Sequence, residues 1–512
     1  MVASCPKYVL YALIFLGSWL LSCLLHFQFF YLSLSTARGS LAFLPFSLNA
    51  SVFSAPADGD KRQSPCHGRY VHMVDVPPRF DVLRGCVNGS PAYDGVEYNV
   101  CALMSNAGLG PMLGPAGNRS DGEANIVPNT GWYNTNQYAL EVIFHNRMRQ
   151  YECLTDDPAA ATAVYVPYYP ALELHPHMCG MFNATARNAA SREFLRWLSS
   201  RPAWAAHGGR DHFMVASKTK WMFRRVELAG GGDELGCGNS FLEQPESRNM
   251  TALTYESNVW LRRRDFAVPY PSYFHPSSAG EVAAWQARVR AAPRPWLFAF
   301  AGARRPNSTL AIRDRIFDAC DAASPRGRCG LLDCSSGLEG SVSCRSPEKV
   351  VSLFASARFC LQPRGDSYMR RSSVDAVMAG CIPVFFHEAS TFEKQYRWHE
   401  PDPYSDNSSR TGRERRYYVF IDQDDVLQGK VDIEEVLSRY TDDEVVAMRE
   451  EVIKMIPRFL YKNPRVTFEG DTRDAFDVAI DEIMARMWRI KNGEDFEWED
   501  ENDEAVVANN GS

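Results

Sequence analysis

A chain of 512 residues that is 45% apolar and 12% aromatic can bury two sizeable cores, so two domains are expected. Its net charge of −7 is unevenly spread: eight carboxylates and no Lys or Arg lie in 492–512, and removing those eight leaves +1. A near-neutral body with a solvated acidic end gives no sign of the basic excess typical of nucleic-acid binders, and no nucleic-acid partner is expected.

In chain order, the first feature is an uncharged apolar run from Tyr8 to Leu34. That length crosses a bilayer core as a helix, whereas a cleaved signal peptide has a shorter apolar core of about 7–15 residues. "SLSTA" at 33–37 is nonetheless a usable cleavage site. Eight N-x-[ST] sequons follow, at Asn49, Asn88, Asn118, Asn183, Asn249, Asn307, Asn407 and Asn510. Chance supplies roughly two or three, so the body is expected to be glycosylated in a lumen. Beyond the apolar run lie twelve cysteines, which read as disulfides in an oxidising compartment. The spacing of Cys320, Cys329, Cys334 and Cys344 does not match a zinc site.

The expected order is a cytosolic end (1–7), a transmembrane signal-anchor (8–34), a stem (35–64), an N-terminal domain (65–290), a C-terminal domain (291–490) and an acidic disordered tail (491–512). "GRYVHMVDVP" (68–77) alternates as a strand ending at prolines, and the Gly-rich stretch after Asn99 reads as a long loop. "NQYALEVIFHNRMRQYECLT" (136–155) has a helical stripe and "AAATAVYVPYYP" is a buried strand. Helix 191–200 then precedes strand 211–217. A second series opens with strand, turn and helix over 295–320, joined to the first near 281–296. Helix 347–357, strand 358–361, strand 382–386 and a last amphipathic helix at 474–490 complete it. Alternating helices and strands argue for parallel α/β layers.

"FCLQPRGDSYMRRSSVDAVMAGCIPVFF" (359–386) sets Arg364, Arg370 and Arg371 between two apolar strands. In an open parallel sheet, ligands bind at the carboxyl ends of strands, where helix N-termini favour anions. Gly365 permits close backbone approach, the arginines suit phosphate oxygens, and Asp375, one turn after Arg371, is placed to accept ribose hydroxyls. Strand "LFAFAG" ends similarly in Gly302, followed by Arg304 and Arg305. Two such elements in one domain favour a nucleotide-diphosphate ligand. A solvated loop with a surface Arg–Asp pair is the alternative. There is no Walker lysine motif and no GxGxxG. The acidic pairs Asp156–Asp157 and Asp424–Asp425 read as solvated turns rather than metal sites.

The 359–387 stretch resembles the signature of the exostosin-like inverting glycosyltransferases of family 47, most closely the plant xyloglucan galactosyltransferase branch. "CHGRYVHMVDVPPRFD", "TGWYNTNQYALEVIFHNRM", "GRDHFMVASKTKWMFRR", "VPYPSYFHP", "FAFAGARRP" and "QYRWHEP" extend the likeness over about 66–490. It implies a GT-B fold of two Rossmann-like domains facing a cleft, with the donor on the C-terminal domain and the acceptor mainly on the N-terminal one. It also implies a type II Golgi membrane protein that uses UDP-galactose on xyloglucan without a metal or other cofactor. Other Golgi glycosyltransferases are candidate partners. Met369, Glu388–Ala389 and 178–190 depart from the family pattern, leaving another UDP-sugar (galacturonic acid or a pentose) and a catalytically silent scaffold as alternatives. The donor contacts expected are Gly302, Arg304, Arg364, Gly365, Ser367, Tyr368, Arg370, Arg371 and Asp375. "WYNTNQY" offers Tyr133, Asn136 and Gln137 to the acceptor. Inversion needs a base, for which His212, Asp211, Glu256 and then Asp75 are the candidates.

Overall fold

The computed structural model describes residues 66–85, 100–114, 126–179, 182–225, 236–257, 265–305, 311–335, 337–401 and 417–493. The expected anchor at 8–34, the stem, the acidic residues from Glu494, and the sequons at Asn49, Asn88, Asn118, Asn307, Asn407 and Asn510 lie outside these residues.

Two parallel sheets organise the body. The first has six strands in the order β2-β1-β3-β4-β5-β6. They are β1 (Val71–Met73), β2 (Leu154–Thr155), β3 (Ala163–Tyr165), β4 (His212–Val215), β5 (Thr251–Thr254) and β6 (Asp265–Ala267). The second has the order β11-β10-β9-β7-β8, from β7 (Trp296–Gly302), β8 (Cys329–Asp333), β9 (Ala357–Gln362), β10 (Ile382–Phe385) and β11 (Val419–Phe420). Every pairing is parallel, including Val164 with His212 and Val384 with Leu361. Strands β3, β4, β5 and β10 are buried throughout, as strands covered on both faces must be.

Helix boundaries follow their caps. The expected helix at 191–200 begins earlier, as Ala184–Ser199, because Asn183 accepts the Ala186 N–H and caps it. Its first turns hide from an apolar count since Arg187, Asn188 and Ser191 are buried there. Arg187 donates to the carbonyls of Phe182 and Gly236, and Asn188 accepts from Ser240 N–H. The join between the two series is itself a helix, Ala279–Ala291, capped by Ser278. Its Trp285 Nε1 donates to Met378 O at 2.8 Å, tying it to the second sheet's layer. The Asp424–Asp425 pair occupies the first turn of the helix Gln423–Leu427 and not a free turn.

The closing helix, Ala475–Lys491, returns to the first sheet. Phe476 packs on Phe144, Arg147 meets Asp474 at 3.3 Å, and Lys491 donates to Ala161 O at 2.7 Å. Disulfides join Cys66–Cys153, Cys179–Cys237, Cys320–Cys329, Cys334–Cys344 and Cys360–Cys381, and Cys101 is also disulfide-bonded. The four cysteines at 320–344 are thus two short cross-links. The last bridge joins the neighbouring β9 and the residue preceding β10, fixing the element that carries the arginines.

Candidate functional site

Parallel strands deliver their carboxyl ends to one edge. At that edge both sheets contribute to a cavity of about 990 Å³. In the second sheet the order places β7 beside β9, with β8 beyond β7 and β10 beyond β9, so the connections leave these two parallel strands toward opposite edges of the sheet. This is the switch point at which open α/β sheets bind ligands. The segments after these two strands, with the first turns of the helices that follow, bring Arg305, Arg313, Arg370 and Arg371 to the cavity wall.

The 363–370 turn is shaped from within. Gly365 N–H donates to Ser367 O at 2.9 Å, and a Cβ on Gly365 would lie 3.2 Å from the Arg313 guanidinium. Arg313 Nη2 donates to Arg364 O at 3.2 Å, and Arg370 reaches Ala301 O at 3.3 Å. Burial, then the nearby Arg313 charge, lowers the Arg370 guanidinium to about 9. Arg313 and Arg370 set two charges against the single nearby carboxylate Asp366, an excess of positive charge that suits an anion.

The helix after this turn is Arg371–Met378. Arg371 lies over the Tyr273 ring at 3.7 Å and donates through Nη1 to Thr135 O at 2.6 Å. Its Nη2 is buried without a partner, a donor available to a ligand. Asp375 lies 3.7 Å from Arg371 Nε and accepts from the Ser272 hydroxyl at 3.0 Å. Burial raises the Asp375 carboxyl to about 6 despite the arginine.

The structure therefore brings together Gly365, Ser367, Arg370, Arg371 and Asp375 with Asn136 and Gln137 on one cavity lining. Other expected residues are elsewhere. Arg304 is half-exposed and spent on Asp318 and Asp321 at 3.1 and 2.9 Å; its neighbour Arg305 takes the wall. Gly302 serves packing, since a Cβ there would run into the Phe300 ring. Arg364 and Tyr368 turn away from the cavity: the guanidinium faces the Tyr368 ring, which lies 4.7 Å from His387. Tyr133 is buried and accepts from Asn463 Nδ2 at 3.3 Å.

The base candidates also move. Asp211 and His212 open β4 at its amino end, opposite the edge that carries the cavity. His212 is fully buried, 2.8 Å from Asp211 and packed on Trp204, and neither residue lines the cavity. Asp75 is likewise not on the lining. Glu256 is buried beneath the 367–369 turn and accepts the Tyr368 N–H at 3.0 Å. Among the described residues, the carboxylates that do line the cavity are Glu348, Asp366 and Asp375.

Sequence reasoning missed Arg313, Thr135, Tyr270 and Tyr273 as wall residues. Only the neighbourhood of Arg304 and Arg305 hinted at Arg313, eight residues after Arg305 and in the first turn of the helix Ile312–Ala323. It missed His275 too, which is fully buried between Tyr461 O at 2.8 Å and Thr135 Oγ1 at 3.0 Å and holds Thr135 in place. The far wall is the loop closed by Cys334–Cys344, where Leu338 and Val342 are exposed on the helix Gly337–Ser343.

Two parallel sheets sharing one arginine-walled cavity define an α/β protein whose halves enclose a pocket of the charge an anionic ligand requires. More particularly, the chain belongs to the exostosin GT47 domain family, whose domain matches residues 65–437. It is 41% identical over 434 residues to xyloglucan galactosyltransferase MUR3 of Arabidopsis thaliana, covering 84% of this chain and 64% of that protein. It is 38% identical to the probable xyloglucan galactosyltransferase GT15 of the same plant, covering 84% of each. It is also 33% identical to the Arabidopsis xyloglucan-specific galacturonosyltransferase 1, covering 84% of this chain and 59% of that one. The chain thus spans about two thirds or less of the length of two of these relatives.

Proposed function

We propose that the protein is an inverting hexosyltransferase of the Golgi membrane that moves galactose from UDP-galactose onto xylosyl side chains of xyloglucan. The carrying observation is the cavity wall of Arg305, Arg313, Arg370 and Arg371 at the carboxyl ends of β7 and β9. Departure of a nucleoside diphosphate leaves negative charge, and fixed cations facing it in a partly dry cleft stabilise the transition state. In this reading the arginines balance the diphosphate and no metal takes part.

Asp375 accepts ribose hydroxyls beside Arg371, while Asn136 and Gln137 of the first-sheet half face the acceptor. With Asp211, His212 and Glu256 off the lining, the acceptor hydroxyl proton passes to one of the lining carboxylates. The names of the relatives support galactose and xyloglucan. The apolar run 8–34 and the sequons support a type II anchor with a luminal body.

A second reading keeps the site and changes the sugar, because one relative is named a galacturonosyltransferase. The test is to incubate the protein with a panel of UDP-sugars and xyloglucan oligosaccharides and weigh the products. A gain of one hexose only with UDP-galactose is expected. A uronic acid gain would select the second reading, and no product from any donor would refute both.

A further inference from the structure

Glu256 stands two residues past the carboxyl end of β5, in the half built on the first sheet, yet its carboxylate is spent on the second. It accepts the Tyr368 N–H at 3.0 Å, and the neighbouring Met369 N–H and Ser367 favour its charged form, the Ser367 hydroxyl itself donating to Met369 O at 3.2 Å. The residue is 6% exposed, and its own backbone is fixed by Thr254 Oγ1, which donates to Glu256 O at 2.9 Å. A second tie follows at once: Ser257 N–H donates to Gln395 Oε1 at 2.8 Å. Buried carboxylates that accept several N–H groups make strong, charge-assisted bonds.

The turn is braced from within by Gly365 N–H to Ser367 O and by Arg313 to Arg364 O, while Glu256 holds the Tyr368 backbone from the opposite half. Residues 363–370 belong to no strand or helix, and Gly365 adds backbone freedom. The face of the turn away from Glu256 is the one that matters to a ligand. Gly365, Asp366 and Ser367 lie on the cavity lining, and Arg370 follows directly. The nearest cation to Glu256, Lys220, is paired with Asp265 at 3.1 Å, leaving the carboxylate to the turn.

We propose that Glu256 is a positioning residue for the donor: from the acceptor-side half it clamps 367–369 in the shape that presents Gly365, Ser367 and Arg370 to the diphosphate of a sugar nucleotide. This rests on the reading of the cavity as a UDP-sugar site. Donor affinity then depends on the two halves being in register, since the donor loop takes its shape from the opposite half. Glu256 touches no reacting atom in this role.

Glu256→Gln tests it. The amide keeps the volume but turns one oxygen into a donor facing N–H donors. Loss of one charge-assisted bond, about 1.5 kcal/mol, corresponds to an affinity loss of about tenfold. Calorimetric titration of the full-length chain with UDP is expected to show that loss, with donor KM rising in parallel, acceptor KM unchanged and the melting temperature little altered. Glu256→Asp, which keeps the charge and recedes by one methylene, supplies the same comparison if the amide variant is not produced. UDP affinity within twofold of wild type would overturn the proposal. So would a collapse of kcat at unchanged UDP affinity, which would make Glu256 the base. A wild-type chain that binds UDP but leaves xyloglucan unmodified would refute the proposed acceptor while UDP affinity still decides the role of Glu256. A wild-type chain that binds no UDP would overturn both.

Discussion

Arg371 Nη1 donates to the carbonyl oxygen of Thr135 across 2.6 Å, joining the helix after β9 to the loop that opens the acceptor side. The guanidinium also covers Tyr273 and keeps Nη2 without a partner. One side chain therefore locates the ligand and the opposite wall together. Replacing it should cost more than a single phosphate contact. Arg371→Ala is expected to lower kcat/KM by at least about 100-fold, the scale of a buried charge-assisted contact plus its geometry. Arg371→Lys should rescue part of the donor affinity but little turnover, because an ammonium lacks the planar fork. Steady-state kinetics on secreted protein of normal melting temperature checks this; unchanged turnover would remove Arg371 from the site.

Arg304 and Arg313 exchange the roles that sequence position suggests. Arg304 is bound to Asp318 and Asp321 on the helix Ile312–Ala323, with its guanidinium over Phe317. Exposed pairs of this kind contribute about 0–1 kcal/mol. Arg304→Ala should therefore leave UDP affinity within about twofold of wild type. Arg313 is buried on the cavity wall and supports Arg364 O, so Arg313→Ala should weaken UDP at least about tenfold. Parallel calorimetric titrations of the two variants decide the assignment.

The second sheet's centre was legible in the sequence because β7, β9 and β10 are runs of apolar residues bounded by turn signals. The edge and short strands were not: β2 and β11 have two residues each, too few to show any period. The arginine turn was legible because its glycine, arginines and carboxylate are adjacent in the chain. Beyond Asn136 and Gln137 the opposite wall was not, since Thr135 meets Arg371, and Ser272 meets Asp375, only through tertiary packing. His212 misled for the same reason: residue type suggested a base, but strand direction puts it at the wrong end of β4. Arg304 misled because adjacency to Arg305 says nothing about which guanidinium the following helix captures.

Asn183 is exposed at the start of its helix, and its Oδ1 accepts the Ala186 N–H at 2.9 Å. A glycan on Nδ2 leaves that cap intact. Glycan loss and cap loss can therefore be separated. Thr185→Ala removes the sequon and keeps the cap; Asn183→Gln removes both and should cost about 1 kcal/mol more stability. The mass shift on deglycosylation should vanish at this site in both variants, and only Asn183→Gln should melt markedly lower. An unchanged mass in Thr185→Ala would mean that the sequon is not used.

Glu141 is fully buried in the helix Leu140–Met148, where Oε1 accepts the N–H groups of Ala171 and Ser217 at 3.0 and 2.9 Å. Its Oε2 has no partner, and burial raises the carboxyl to about 8. The raised value means that its stabilising contribution is complete below the unfolded carboxyl range and is lost as pH rises through about 8. Glu141→Gln keeps an acceptor for both N–H groups and cannot ionise. Its melting temperature relative to wild type should therefore rise between pH 5 and 8 and level off above. A difference independent of pH would show that Glu141 is already ionised at pH 7.

Asp375 gives the site its own pH dependence. Its carboxyl is raised to about 6, chiefly by burial, while Arg371 and the Ser272 hydroxyl pull it down. An unfolded aspartate titrates near 3.9, so the folded state favours the protonated form, and the associated stability is lost as pH rises from about 4 through 6. Binding runs the other way. A carboxylate that accepts ribose hydroxyls must be ionised, so UDP affinity should climb between pH 5 and 7 as Asp375 deprotonates. Asp375→Asn is expected to flatten that climb at a lower plateau, and to melt higher relative to wild type at pH 7 than at pH 5. Titrations with UDP across this range, paired with melting curves, separate the two effects. If the affinity climb persists in Asp375→Asn, another group carries it and Asp375 does not contact the donor.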